Sequence, residues 1–203
     1  MASGDVIVGI DIGTSKVCTV IGSIDKNNQV EILGYGTSPC SGVKKGIIVD
    51  IDSTAQTIKD ALSQAEHVAD VKVESAYVNI IGAHVSIFNS HGAIAVMGEG
   101  REITHKDIEK VLQAARLAAI PADRQIIDII PNQYIIDGYD EIVDPVGMVG
   151  IRLEVEASVV AATITSAQNI VKSLQRVGIE ADGIVMEALA TSEVILTADE
   201  KEM

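Results

Sequence analysis

The order of strand and helix patterns places the chain in the α/β class, with a boundary at which the pattern changes. Three observations predict this. Residues 5 to 36 carry three consecutive β-rich runs, a capped amphipathic helix and a further strand follow, and the pattern changes character around Ile81-Gly82-Ala83 before helix and strand signals resume. With 203 residues, 47% of them hydrophobic and 22% charged, the chain can bury a sizeable core, and its length alone permits one domain or two small ones.

Taken in order, Val6 to Ile10 is an apolar run of the length that a buried strand needs, and Val17 to Ile21 is β-rich again, so the two form a hairpin. Its tip, Asp11-Ile12-Gly13-Thr14-Ser15-Lys16, carries chemistry. Gly13 permits positive φ and close approach of a ligand to the backbone, Thr14 and Ser15 offer hydroxyls, Lys16 a cation, and Asp11 a carboxylate able to orient metal-bound water. Such a tip suits a nucleotide phosphate with Mg²⁺, although an ordinary polar turn has the same letters. Gln29 to Gly36 alternates as a third strand. In Gly42 to Asp50 two glycines bracket Lys44 and Lys45 in a turn that could approach an anion, or simply be a solvated loop. Ser53 with Gln56 reads as a capping box for a helix from about Ser53 to Val68, and Val73 to Ile81 returns as a strand.

Beyond the boundary at residues 81–83, Val85 to Phe88 and Gly92 to Met97 read as a hairpin around Asn89-Ser90-His91. Thr104 and Asp107 cap a helix whose apolar positions are Ile108, Val111, Leu112, Ala115 and Ala119, and Pro121 stops it. Gln125 to Ile130 and Tyr134 to Ile136 form an extended run with an edge or bulge at Pro131-Asn132. Residues 137 to 150 read as a long loop and Ile151 to Ile164 as a long strand. Thr165 with Gln168 is a second capping-box pattern, Gly178 suits the end of that helix, and Ala181 to Met186 is a strand leading into a helix from Glu187.

Composition narrows the function. One Phe, no Trp and a net charge of −14 disfavour nucleic acid and anionic lipid surfaces, because base stacking lacks platforms and phosphates are repelled. No signal peptide and no apolar run long enough to span a bilayer is legible, so the cytoplasm is the expected location. Cys18 and Cys40 are expected to be buried free thiols, and His67, His84, His91 and His105 lack metal-ligand spacing.

The hairpin tip, the β-β-β-α-β order and the later β-α return resemble the first half of the actin and Hsp70 ATPase superfamily. Within it, Gly9 to Val17, Gly42 to Asp50, Pro131-x-x-Tyr134-x-x-Asp137 and the block from Asp144-Pro145 through Gly147-Met148 and Gly150 to Arg152-Leu153 resemble the FtsA family of bacterial cell-division proteins. The resemblance implies an actin-like, ribonuclease-H-like subdomain 1A at 1–82 and 164–203 and an inserted strand-helix-strand-strand subdomain 1C at 83–163. It implies that Asp11, Gly13, Thr14, Ser15 and Lys16 face the phosphates of ATP, that Asp11 holds Mg²⁺ through water, and that Glu187 sits where relatives orient an attacking water, with Glu193 a weaker candidate. It also implies an N-terminal piece of a scaffold that polymerises with itself, tethers the FtsZ ring to the inner membrane and recruits later division proteins through 1C. The piece itself is expected to bind ATP negligibly and to be inactive. Residues 83–163 hold 12 acids and 6 bases, a balance of −6 that would attract a basic partner, or merely keep a small unit in solution. A PilM-like pilus assembly scaffold is the alternative, and a sugar or acetate kinase a more distant one.

Overall fold

A computed structural model describes residues 5–27, 29–117, 120–197 and 200, and divides the chain into two compact units, 1–84 with 164–203 and 85–163. Ala119 of the sequence-predicted helix and most of the tail after Thr197 lie outside the described residues.

Unit 1 is built on a five-stranded sheet in the order β11-β6-β1-β2-β3. Strands β1 (Asp5–Ile12), β2 (Lys16–Ile24) and β3 (Val30–Pro39) are an antiparallel meander, and β6 (Ser75–Ile80) and β11 (Glu180–Met186) add in parallel on the β1 side. Parallel addition requires a crossover, which α1 (Ile51–Ala69) and α3 (Ile164–Gln175) supply or complete. Alternation along β1 puts Val8, Ile10 and Ile12 in the core and leaves Gly9 and Asp11 on the other face. Helix α1 lies so close to β3 that a Cβ on Gly36 would collide with the Ala61 carbonyl, and one on Gly34 would sit 2.7 Å from that of Ala65. Glycine is needed there for contact, not for turning.

The N-cap of helix α1 lies three residues earlier than predicted. Asp50 is the N-cap, its carboxylate accepting from the Ser53 N–H at 3.0 Å, while Ser53 Oγ is engaged with Ser41 Oγ and Gln56 with Asp60. The second predicted box fails for a related reason. Strand β10 (Arg152–Thr163) runs straight into α3 at Ile164, so Thr165 and Gln168 are the second and fifth residues of the helix and neither can be its cap. Gly178 does take φ +80° after α3, as its position predicted. Helix α4 (Glu187–Ile195) follows β11 directly. Cys18 and Cys40 are free and half-buried, more open than expected.

Between α1 and β3 the Gly42 to Asp50 segment is a miniature hairpin, β4 (Val43–Lys44) and β5 (Ile47–Ile48), with Lys45 and Gly46 at its turn in left-handed conformations of φ +50° and +77°.

Unit 2 is a four-stranded antiparallel sheet in the order β7-β10-β8-β9 with α2 (His105–Arg116) packed on it. The predicted hairpin at 85–97 is instead one continuous strand, β7 (Val85–Ala95), paired with β10 from Val85↔Ala162 to Ala95↔Arg152. Asn89-Ser90-His91 have turn propensity but stay in the ladder, and Ser90 Oγ donates to the Ala115 carbonyl of α2 at 2.7 Å. Strand β8 (Arg124–Ile136) carries its bulge at Asn132, between the Gln133↔Glu156 and Pro131↔Ala157 pairs, beside the proline that cannot donate to the ladder. The predicted long loop contains a further strand, β9 (Tyr139–Ile142). Asp137-Gly138 makes its turn with φ +50° and +90°, the pairing that two-residue hairpins favour. The unit is therefore strand-helix-strand-strand-strand, one strand more than the sequence predicted.

Candidate functional site

The end of β1 and the start of α4 bring Asp11 and Glu187 to one amide. Asn79 of β6 donates through Nδ2 to Asp11 Oδ1 at 2.5 Å and to Glu187 Oε2 at 3.0 Å, and its Oδ1 accepts the Ile12 N–H at 2.7 Å. The backbone bond fixes the amide's orientation, so both donors point at carboxylates and neither carboxylate can rotate freely. The sequence reading missed Asn79. Its signal was an asparagine inside the strand Ser75–Ile80, a position where asparagine is depleted unless it is needed.

These groups face a cavity of about 290 Å³ lined by Asp11, Gly13, Thr14, Lys45, Gly46, Ile81, Gly82 and Glu187. The turn at its rim is tight, with the Gly13 N–H donating to the Lys16 carbonyl at 3.0 Å. Gly13 does not take the positive φ expected of it. A Cβ there would stand 3.0 Å from the Lys16 carbonyl, so glycine serves close approach of the two strands. Thr14 Oγ1 accepts the Gly46 N–H at 3.2 Å, tying the tip to the β4–β5 turn. Ser15 is outside the lining of this cavity, and its carbonyl accepts the Cys40 N–H at 2.9 Å. Lys16 lies on an adjoining, more apolar hollow of about 380 Å³ with Asp11, Cys18, Tyr77 and Asn79. Glu193 is exposed, more than a helical turn beyond Glu187 on α4, and outside the cavity lining.

Burial pushes the Asp11 carboxyl above its ordinary value of 3.8, the Glu187 charge pushes it the same way, and Lys16 opposes both. Two carboxylates held at one amide repel each other, a cost that a cation would relieve. No group of three acidic, histidine or cysteine ligands occurs among the described residues. A hard cation here would therefore take most of its oxygens from phosphate and water, as Mg²⁺ commonly does. The residues fit a metal-bound polyphosphate: a tight glycine turn, two oriented carboxylates, Lys45 in the cavity lining, and Lys16 on the adjoining hollow.

The family model described as the SHS2 domain inserted in FtsA matches residues 82–161. The chain is 43% identical to cell division protein FtsA of Pseudomonas aeruginosa over 201 residues, covering 99% of this chain and 48% of that protein. It is 37% identical to FtsA of Bacillus subtilis (100% and 46%) and 33% identical to FtsA of Escherichia coli K12 (97% and 46%). The chain thus spans about half the length of the curated relatives it matches. Among solved structures, the PilM-PilN type IV pilus biogenesis complex aligns with a TM-score of 0.63 at 17% identity, covering 92% of this chain and 49% of that one. That likeness establishes an actin-like fold.

Proposed function

We propose, from the premise that the chain belongs to the FtsA family over the half that it spans, that unit 1 forms the phosphate side of an ATP site. The observation that carries this is the Asp11–Asn79–Glu187 arrangement at the mouth of the glycine turn. ATP with Mg²⁺ would bring triphosphate oxygens and a divalent charge to the two carboxylates. Asp11 would hold the metal through water, the Gly13–Thr14 backbone would approach the phosphates, Lys16 would balance charge, and Glu187 would orient water at the terminal phosphate. Asn79 would keep Asp11 and Glu187 in place.

The whole protein would be a nucleotide-dependent scaffold more than a turnover enzyme. It would polymerise with its own kind, link the FtsZ ring to the cytoplasmic face of the inner membrane, and receive later division proteins on unit 2, the 1C subdomain of this layout. No helix among the described residues is long and apolar enough to cross a membrane. The acidic balance of unit 2 supports basic partners. The PilM reading shares the fold, and the sequence identities favour FtsA over it.

Calorimetry with Mg-ATP tests the site. A nucleotide cleft needs contacts from two sides, and each ~1.4 kcal/mol lost weakens binding tenfold. Binding is expected to be negligible at calorimetric concentrations, about millimolar at best, for these 203 residues and tight for a chain lengthened to the span of its relatives. Micromolar binding by the shorter chain, or none by the longer one, would overturn the reading.

A further inference from the structure

We propose that the β4–β5 turn is a second phosphate-binding element, with Lys45 supplying a cation to a polyphosphate that lies over the β1–β2 tip. The inference rests on the reading of that tip as a phosphate site. Among the eight residues that line the 290 Å³ cavity, Lys45 is the one cation, facing a lining that otherwise carries Asp11 and Glu187. A polyphosphate entering that space brings several negative charges next to two more. It needs cations on the protein side as well as a metal.

The position of Lys45 is set by backbone. The Gly46 N–H is held by Thr14 Oγ1 at 3.2 Å, a Cβ on Gly46 would lie 2.6 Å from the Ile81 carbonyl, and a Cβ on Gly82 would lie 3.0 Å from the Lys45 carbonyl. The turn is thereby seated against the end of β6 and tied to the tip at once. Lys45 also stands at φ +50°, a left-handed conformation that disfavours a non-glycine residue. Asparagine or aspartate followed by glycine would satisfy the same turn at lower cost. A merely solvated turn gives no reason for a lysine there. Lys44, one residue earlier, pairs with Ile47 in the ladder and lies outside the cavity lining, so it serves as the internal control.

The test is an amide NMR titration of the 203-residue chain with magnesium tripolyphosphate, which supplies the phosphate chemistry without requiring an adenine pocket. The Gly13 and Thr14 amides are expected to shift together with those of Gly46 and Gly82. Lys45→Ala should weaken the interaction about three- to tenfold, Lys45→Glu should abolish it, and Lys44→Ala should leave it within about twofold. Neither alanine change adds backbone strain, and the dispersion of each spectrum reports folding directly. If the tip amides shift but Lys45→Ala binds like the parent, the tip remains a phosphate site and the role of Lys45 is wrong. If no tip amide shifts at millimolar tripolyphosphate, the phosphate reading fails and takes this inference with it.

Discussion

Asp107 of unit 2 and Asp11 of unit 1 are both carboxylates at the end of a secondary-structure element, and their surroundings drive them in opposite directions. Asp107 accepts from the Thr104 hydroxyl at 2.7 Å, from Lys110 Nζ at 2.9 Å and from the Thr104 N–H at 3.1 Å, which together hold its carboxyl down at about 2. Asp11 has one amide donor, is pressed by burial and by the charge of Glu187, and is pushed up. A carboxylate whose acceptor capacity is filled by its own fold holds that fold together. One left partly desolvated beside another negative charge stores an unfavourable interaction, which a ligand can release. The two units share a packing method, since glycine lets a helix approach a strand in each, at Gly36 under α1 and at Gly92 under α2. They differ in whether their polar groups are satisfied from within.

The largest effect should come from that shared packing. Gly36→Ala would drive a Cβ into the Ala61 carbonyl, and Gly92→Ala would drive one into that of Val111. Each should cost about 3 kcal/mol, the upper range for overpacking a rigid contact. Hydrogen exchange should accelerate in unit 1 for the first and in unit 2 for the second. Acceleration spread evenly over both units by either change would break the distinction between them.

A smaller loss is expected at the cap. Asp107→Ala should destabilise unit 2 by about 1–2 kcal/mol, measured by denaturant unfolding. The sign of its pH dependence follows from the depressed carboxyl. The stabilisation is complete above the ordinary value of 3.8 and is lost as pH falls from there through about 2. Asp107→Asn should flatten that acid limb.

The smallest effect has the opposite sign. Because the folded state holds a proton on Asp11 more tightly than the unfolded chain does, ionisation costs stability as pH rises through the window above 3.8, and the full cost is present at neutral pH. Asp11→Asn removes the repulsion with Glu187 while keeping an oxygen for Asn79. It should raise the thermal stability of unit 1 slightly, because solvent screens an exposed pair, and abolish magnesium polyphosphate binding. A destabilised Asp11→Asn would make Asp11 a structural residue like Asp107.

Much of this was legible in the letters. The meander, the crossover helix and the position of the tip follow from apolar periodicity and from a tight glycine turn. The Thr104–Asp107 box was legible because its geometry is local. Elements whose identity depends on a distant partner were not. Asn89-Ser90-His91 reads as a turn until β10 runs alongside it, and Asp50 takes the cap of α1 while Ser53 Oγ meets Ser41 Oγ, a residue twelve positions away. In the site, the tip residues announce themselves in one run, whereas Asn79 and Lys45 reach it across 68 and 34 positions of chain from Asp11. The Asp137-Gly138 hairpin was a missed opportunity, since that dipeptide is itself a strong turn signal.

The most direct measurement is a carboxyl carbon NMR titration of Asp11 and Asp107 in one sample, without and then with magnesium tripolyphosphate. Asp11 should titrate above 3.8 and Asp107 near 2, with the Asp11 midpoint falling when the ligand is added and that of Asp107 unmoved. An Asp11 that titrates at or below 3.8 and ignores the ligand would contradict the assignment of this site.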